Sequence, residues 1–282
     1  MAVPLPVDPT NAAQLEAWDG DEGTYWAKHA DRFDHALAPH HREFMAASAI
    51  TSGQRVLDIG CGTGQTTIDA AREAAPGIAL GVDLSTAMLE VARRRAADEG
   101  VTNATFLQAD AQVHAFETAF FDVVAARTVA MFFGDQAAAF ANLRRALRDG
   151  GRLVMLTWQP LAGNEWIEVV ATALSPPGAV QLPPPGAGPF SLSEPDEIRS
   201  LLEGAGFAGI ELRAIEEPMW FGTDPDDATE FILGLQGWRL RDANADERAR
   251  AVAALRAACV NAITADGVSF RSAAWLTMAS VR

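Results

Sequence analysis

Three glycines and an acid follow a short apolar run in the segment RVLDIGCGTGQTT, which begins at Arg55. Gly60, Gly62 and Gly64 occupy alternate positions, and Asp58 stands two residues before the first of them. A glycine-rich turn lets the backbone approach a ligand closely, so it can hold a phosphate, a dinucleotide or another small molecule. A phosphate loop is excluded because no lysine follows, and the G-x-G-x-G spacing departs from the G-x-G-x-x-G of dinucleotide sites.

Two further acids stand at the ends of later apolar runs. Asp83 ends the run GVD, and Asp110 ends the run LQAD. A carboxylate in the first position can accept both hydroxyls of a ribose, and a carboxylate in the second can bond the exocyclic amine of an adenine. Together with Asp58 these acids favour a ligand that carries positive charge over one that carries a pyrophosphate.

Strand and helix patterns alternate along the chain from about Arg55 to Trp158. Apolar runs such as RVLDIG and IALGVDLS predict buried strands, and segments such as TAMLEVARRRAADEG predict the helices between them. Strands that alternate with helices of this length imply right-handed crossovers and a parallel sheet. Ligands bind such a sheet beyond the carboxyl ends of its strands, so the glycine loop, Asp83 and Asp110 are expected to share one edge.

The predicted organisation of the chain has four parts. Residues 1–50 form an N-terminal helical lid, 51–158 the ligand-binding core, 159–206 a helical and proline-rich cap insertion, and 207–282 the strands and helices that complete the core sheet. Residues 1 to about 10 are rich in proline and are expected to be loosely held. Two helices are predicted near Asp226–Arg241 and Ala245–Thr264, and the stretch from Pro176 to Pro189 is interpreted as a cover for an acceptor pocket.

Composition narrows the classes of partner. A net charge of −15 over 282 residues repels phosphate backbones and anionic membrane surfaces, so neither nucleic acid nor membrane is expected as a partner. The run Arg93, Arg94, Arg95 is interpreted as a solvated helix face. Cys61 and Cys259 form neither a disulfide framework nor a metal-binding spacing, so no metal is expected. Since no signal peptide or membrane span is recognisable, we expect a cytoplasmic protein.

Five segments carry a resemblance to a known family. VLDIGCGTGQTT, GVDLS, FLQADA, FDVVAARTVAMFF and LRDGGRLVMLTW resemble, in order, the motifs of class I S-adenosylmethionine-dependent methyltransferases. The flanking segments YWAKHADRFDHAL, PFSLSEPDEIRSLLEGAGF and AAWLTMA are similar to a bacterial branch that acts on small molecules. The resemblance implies an α/β fold: a Rossmann-like, doubly wound, mostly parallel seven-stranded sheet with an antiparallel last strand and helical lid additions.

The resemblance also implies S-adenosylmethionine as the cofactor and assigns its contacts. Asp83 would bind the ribose hydroxyls, Asp110 the adenine edge and Asp58 the amino group, while the glycine loop and Arg127 would line the methionine end. The complete set of predicted cofactor-binding residues is Asp58, Gly60, Cys61, Gly62, Gly64, Asp83, Leu84, Met88, Asp110, Ala111 and Arg127.

The implied reaction is methyl transfer to an oxygen, nitrogen or carbon nucleophile of a small molecule by in-line displacement, in which the enzyme mainly aligns the reactants. A base is needed only where the acceptor must lose a proton. His29, in the predicted lid, is the candidate base, with a helix-surface histidine as the alternative, and His40 and His41 are interpreted as turn residues beside Pro39. The candidate acceptor pocket consists of Trp26, Met131, Phe132 and Trp158, with ordinary core packing as the alternative.

Two other functions stay open at this point. One is an NAD(P)-dependent oxidoreductase, against which the glycine spacing and Asp110 both count. The other is a module that binds S-adenosylmethionine but has lost its catalytic activity, because a fold alone does not settle function. The oligomeric state is equally open between a monomer and a homodimer.

Overall fold

The computed structural model describes residues 5–175, 180, 182 and 188–282, whose strands form one eight-stranded mixed sheet. The strands are β1 Arg55–Ile59, β2 Ile78–Asp83, β3 Ala104–Gln108, β4 Phe121–Arg127, β5 Leu147–Trp158, β6 Ala208–Gly222, β7 Ile263–Thr264 and β8 Gly267–Ser280. Their spatial order is β3-β2-β1-β4-β5-β8-β6, and β7 pairs with β8. Most of the predicted cover between Pro176 and Pro189 lies outside the described residues.

Helices precede the sheet and alternate with its strands. They are α1 Ala12–Trp18, α2 Asp21–Lys28, α3 Ala30–Ala36, α4 Ala38–Ser48, α5 Gln65–Ala74, α6 Thr86–Asp98, α7 Gln136–Ala146, α8 Glu165–Ala173, α9 Pro195–Gly204, α10 Pro225–Gln236 and α11 Ala245–Asn261. Among the described residues, none of these helices has the length and apolar character required to cross a membrane.

The predicted fold class is confirmed, with one additional strand. Strands β1 to β5 are parallel to one another, and β8 runs antiparallel between β5 and β6. The additional strand is β7, which forms a hairpin with β8. Because Thr264 belongs to this strand, the preceding helix ends at Asn261 rather than at the predicted Thr264.

The order of the parallel strands reverses at β1, whose neighbours are β2 and β4. Because each crossover is right-handed, helices that follow strands on the two sides of this point cover opposite faces of the sheet. The region beyond the carboxyl ends of β1 and β4 is therefore the expected place for a ligand. The glycine loop follows β1 directly, and Arg127 is the last residue of β4.

One face of the sheet carries a row of polar and aromatic side chains. Asp58 pairs with Ala125, and Arg127, two residues further along β4, pairs with Leu156. Since registered neighbours point to the same face, Asp58, Arg127 and Trp158 share that face. Ser272 of β8 also belongs to it, because Trp158 pairs with Ala274 two residues away.

Helix α4 lies across this face and runs against the direction of β5. Arg152, near the start of the strand, donates to the carbonyl oxygen of Ser48 at the end of the helix. At the other end the ring of His40 lies 5.5 Å from that of Trp158. The interpretation of His40 and His41 as turn residues is wrong: both are buried in α4, because a proline is tolerated in the first helical turn.

Candidate cofactor and acceptor site

Close packing requires glycine at two positions of the loop, Gly60 and Gly64, whereas the position between them, Gly62, is open. Gly60, Gly62 and Gly64 have φ angles of 60°, 53° and 90°, in the left-handed region that favours glycine. A Cβ on Gly60 would collide with the side chain of Val129, and one on Gly64 would lie 2.8 Å from Cβ of Ala92. A Cβ on Gly62 would meet only Sδ of Met88, at 3.8 Å. A ligand can therefore approach the backbone at Gly62.

Asp83 is held beside this open position by two backbone amides. Its carboxylate accepts hydrogen bonds of 2.8 Å from the amide of Gly62 and 2.9 Å from that of Ser85. Burial raises the pKa of this carboxyl, although both amides oppose the effect. The acid at the end of β2 is thus rigid and next to the glycine loop, as a site for a ligand diol requires.

Asp58 is more deeply buried, with 1% of its surface exposed. It accepts a 2.6 Å hydrogen bond from the hydroxyl of Thr67 on α5. Burial raises the pKa of this carboxyl to about 7, while Thr67 and the charge of Arg127 act in the opposite direction. A cationic ligand group beside Asp58 would stabilise its ionised form.

Asp110 anchors the N-terminal segment. One carboxylate oxygen accepts from the amide of Asp8 at 2.9 Å, and the other accepts from the side-chain amide of Asn11 at 2.8 Å. The side-chain oxygen of Asn11 in turn accepts from the amide of Gly134, which lies beyond β4. The expectation that residues 1 to about 10 are loosely held is therefore wrong from Asp8 onward.

Arg95 joins helix α3 to the glycine loop. Its guanidinium donates to Asp34 at 2.7 Å and to the hydroxyl of Thr63 at 3.2 Å, and it also pairs with Asp31. Thr63 lies between Gly62 and Gly64, and only 17% of the Arg95 side chain is exposed. The interpretation of the arginine run as a solvated helix face is therefore wrong for Arg95.

Arg127 and His40 each have an unpaired polar atom near the carboxyl ends of the strands. Among the described residues, Nη1 of Arg127 and Nδ1 of His40 are buried atoms without a hydrogen-bond partner. Nε2 of His40 lies 3.0 Å from the hydroxyl of Ser272, which is 2.7 Å from the carbonyl oxygen of Glu217. Burial and the charge of Arg127 lower the pKa of His40 to about 4, so this imidazole is neutral at neutral pH.

The aromatic residues predicted for the acceptor pocket fall into two groups. The ring of Trp18 contacts both Trp26 at 5.9 Å and Phe132 at 5.8 Å. Trp158 instead contacts His40 and the ring of Trp166, which lies 5.7 Å away. Met131 is buried next to Phe132 in the short helical turn after β4. Their role in binding an acceptor stays a prediction.

His29 lies at the junction of α2 and α3. Its ring is 4.4 Å from that of Tyr25 and 6.2 Å from that of Phe231 on α10. Burial, the largest cause, and the charges of Lys28 and Arg32 lower its pKa. A role for His29 as a base stays a prediction, and the histidine that the structure places at the carboxyl edge of the sheet is His40.

The remaining predicted cofactor residues surround the same loops. Cys61 is buried, and burial raises the pKa of its thiol well above the ordinary value. The amide of Met88 donates to the hydroxyl of Ser85 at the start of α6. The carbonyl oxygens of Leu84 and Ala111 accept from the side chains of Gln108 and Asn142, respectively.

Sequence reasoning missed four residues that the structure brings to the candidate site: Asn11, Trp18, His40 and Arg95. Arg95 sits in an arginine run and His40 beside a second histidine, but neither pattern identifies a contact. A weak hint was the aromatic spacing of the segment WDGDEGTYW, which begins at Trp18.

Comparison with known families identifies a match over residues 50–175, which fit a family described as a methyltransferase domain. The aklanonic acid methyltransferase DauC of Streptomyces sp. is 28% identical over 69% of this chain and 91% of its own length. The nocamycin O-methyltransferase of Saccharothrix syringae is 30% identical over 59% of this chain and 63% of its own length. The C-methyltransferase UbiE of Ralstonia pickettii is 37% identical over 42% of this chain and 50% of its own length.

Two solved structures share the fold. The YcgJ protein of Bacillus subtilis aligns with a TM-score of 0.56 at 21% identity, over 88% of this chain and 98% of its own. Phosphoethanolamine N-methyltransferase 2 of Haemonchus contortus, solved with S-adenosyl-L-methionine, aligns with a TM-score of 0.58 at 20% identity, over 99% of this chain and 62% of its own.

Proposed function

Because this chain belongs to the class I S-adenosylmethionine-dependent methyltransferases, we propose that it methylates a small molecule at a nucleophilic oxygen, nitrogen or carbon atom. The observation that carries the proposal is the rigid carboxylate of Asp83 beside the open position at Gly62, at the point where the strand order reverses. Relatives whose names specify O- and C-methylation support transfer to small molecules without fixing the attacking atom.

The residues present fit the cofactor. S-Adenosylmethionine supplies an electrophilic methyl group on a positively charged sulfur. The buried Asp58 would favour its ammonium group, Asp83 its ribose hydroxyls, and the unpaired Nη1 of Arg127 its carboxylate. Asp110 would contribute at the adenine edge while it keeps the N-terminal turn in place.

The chain contributes mainly alignment. Arg95 and Asp110 hold the lid against the glycine loop and the end of β3, which would exclude water and fix the relative position of the two reactants. Holding two reactants in a productive geometry supplies up to about 7 to 11 kcal/mol of the reduction in barrier, without any acid–base group.

Calorimetric titration with S-adenosylmethionine and S-adenosylhomocysteine tests the cofactor site. We expect the wild-type protein to bind with micromolar affinity. In Asp83→Ala the affinity should fall at least about 100-fold, because the two charge-assisted hydrogen bonds proposed between this carboxylate and the ribose hydroxyls disappear. Asp83→Asn keeps the size of the side chain but loses its charge. Asp98→Ala, at an exposed position on α6, is the matched control and should bind as the wild type does.

Mass-spectrometric detection of methylated products from a panel of hydroxyl, amine and activated carbon compounds tests the transfer itself. Formation of a product that carries one additional methyl group supports the proposal. Cofactor binding without turnover of any panel member would favour the inactive binding module. An absence of binding to either cofactor form by the wild-type protein would overturn the proposal.

A further inference from the structure

We infer that Nδ1 of His40 faces the methyl acceptor and takes up the proton of a neutral hydroxyl group on an aromatic or enolic acceptor. This inference rests on the proposed function and extends it to the class of acceptor. It assigns His40 as a catalytic residue, in a position that the sequence pattern did not identify as functional.

The hydrogen bonds of Ser272 fix the tautomer of His40. The Ser272 hydroxyl has one proton and donates it to the carbonyl oxygen of Glu217, 2.7 Å away. Its oxygen therefore accepts from His40, so Nε2 carries the imidazole proton over the 3.0 Å contact. Nδ1 is left as a bare acceptor, and among the described residues nothing donates to it.

The position of His40 matches the expected place of the acceptor. It occupies the first turn of α4, above the carboxyl ends of β4 and β5, and its ring contacts Trp158 at the end of β5. Arg127, at the end of β4, points to the same face and acts on His40 through its charge. The edge that holds the glycine loop therefore also holds this histidine.

The chemistry around Nδ1 selects the acceptor group. A carboxylate would place its lone pairs against the lone pair of Nδ1, and an ammonium group would give up its hydration beside a neutral imidazole that cannot balance its charge. A neutral hydroxyl donates to Nδ1 and carries no charge into the pocket. The flat ring of Trp158 beside it suits an aromatic or conjugated acceptor.

A weak base is sufficient for this transfer. As the acceptor oxygen bonds to the methyl carbon, the sulfur–carbon bond breaks with its electron pair on sulfur, and the oxygen becomes positively charged. The O–H proton is then strongly acidic and passes to Nδ1 of His40, which releases it to solvent after the products leave. An imidazole that stays neutral at neutral pH is always ready to accept it.

His41 provides a matched comparison within the same helix. It is also buried and also has an unpaired Nδ1, but its Nε2 lies 2.9 Å from the carboxylate of Asp69 on α5. His40 has instead Arg127 from β4, Trp158 from β5, Ser272 from β8 and the backbone of Glu217 from β6 around it.

Nitrogen-15 NMR of the histidine rings tests the geometry without any cofactor. At pH 7 we expect Nε2 of His40 to be protonated and Nδ1 to be unprotonated, with Ser272→Ala relaxing this preference. A protonated Nδ1 in the wild-type protein would overturn the inference, whatever the protein does with an acceptor.

Three probes that share one ring system test the acceptor class: 2-naphthol, the positively charged 2-naphthylmethylamine and the negatively charged 2-naphthoate. Their binding is measured by quenching of tryptophan fluorescence in the protein saturated with S-adenosylhomocysteine. We expect 2-naphthol to bind at least tenfold more tightly than the other two. His40→Gln should abolish this preference, and His41→Gln should keep it.

Cofactor titration of the same variants separates the two proposals. His40→Gln should bind S-adenosylhomocysteine within twofold of the wild type, and any methylation of 2-naphthol should fall by at least about 100-fold. His40→Asn, which can retain an acceptor near Nδ1, should recover binding of 2-naphthol more than its turnover. Two results would overturn the inference about His40 while leaving the proposed function intact. Both require normal cofactor binding: an unchanged probe preference in His40→Gln, or no preference for 2-naphthol in the wild type.

Discussion

The carboxylate of Asp110 accepts a 2.8 Å hydrogen bond from the side-chain amide of Asn11, although the two residues are 99 positions apart in the chain. The same asparagine accepts from the amide of Gly134, so one side chain joins the end of β3 to the loop beyond β4. These contacts fix the N-terminal turn against the proposed cofactor site.

Replacement of Asn11 should therefore loosen the lid. We expect Asn11→Ala to lower the free energy of unfolding by about 1.5 to 3 kcal/mol, because buried polar groups at Asp110 and Gly134 each lose a partner. Affinity for S-adenosylhomocysteine should fall about tenfold, which corresponds to about 1.4 kcal/mol. Denaturant unfolding, calorimetric titration and hydrogen exchange of residues 8–18 measure these effects.

Glu16→Ala, at an exposed position of the same lid, is the control for Asn11→Ala. An Asn11→Ala protein with wild-type affinity and wild-type protection of residues 8–18 from exchange would show that the turn does not hold the lid closed.

Arg95 should matter for the cofactor although it is not expected to touch it. Arg95→Lys loses the planar fork that reaches Asp34 and Thr63 together, so the lid and the glycine loop should separate more easily. We expect the KM for S-adenosylmethionine to rise about five- to tenfold, or about 1 to 1.4 kcal/mol of binding free energy. Arg94→Lys, at an exposed position one residue earlier, should stay within twofold of the wild type.

A double-mutant cycle with Asp34→Asn measures the same contact directly. If the effects of Arg95→Lys and Asp34→Asn on the KM were fully additive, the two side chains would not act as one connection between lid and loop.

Cofactor affinity should depend on pH through Asp58. Burial raises the pKa of this carboxyl from 3.8 to about 7 in the free protein, and a cationic ligand favours its charged form. Binding should therefore release a proton near neutral pH, and affinity should fall as the pH drops below 7, by up to about tenfold per pH unit. Calorimetric titrations between pH 5.5 and 7 measure the affinity at each pH. Repeating them in buffers of different ionisation enthalpy gives the number of protons released on binding.

Asp58→Asn is the control for this pH dependence, because an amide does not titrate. The variant should bind more weakly at pH 7 and should lose the pH dependence that Asp58 contributes. An identical slope in the wild type and in Asp58→Asn would assign the proton to another group.

The folding stability should depend on pH through His40. Burial and the charge of Arg127 lower its pKa from 6.5 to about 4, so the unfolded chain binds the proton more readily than the folded protein. Stability from this source is complete above pH 6.5 and is lost as the pH falls towards 4. Between pH 7.5 and pH 5 the loss should be about 2 kcal/mol.

Urea unfolding of the wild type and of His40→Gln at both pH values isolates this contribution. The difference in unfolding free energy between the two proteins should shrink at pH 5, because glutamine does not titrate. A difference that stays constant between the two pH values would contradict the lowered pKa of His40.

Local patterns predicted where the glycines and acids of the candidate site lie in the fold. The glycines at 60, 62 and 64 and the acids at 58, 83 and 110 lie where the alternation of strands and helices predicts. This succeeded because a buried parallel strand requires a short apolar run, and positive φ angles require glycine in the loop that follows it. The pattern could not show that the carboxylate of Asp110 is shared with the N-terminal turn.

The sequence by itself determined the parallel core, its order of elements and the acids at the strand ends, because these depend on periodicity over a few residues. Only the tertiary structure decided that Arg95 joins α3 to the glycine loop and that His40 lies over the ends of β4 and β5. Those contacts depend on how helices α1 to α4 pack on the sheet. The position of α4 is fixed by the burial of its apolar side and by the hydrogen bonds that Arg152 donates to its last residue. Such packing is summed over many distant residues, so no short segment of the chain encodes it.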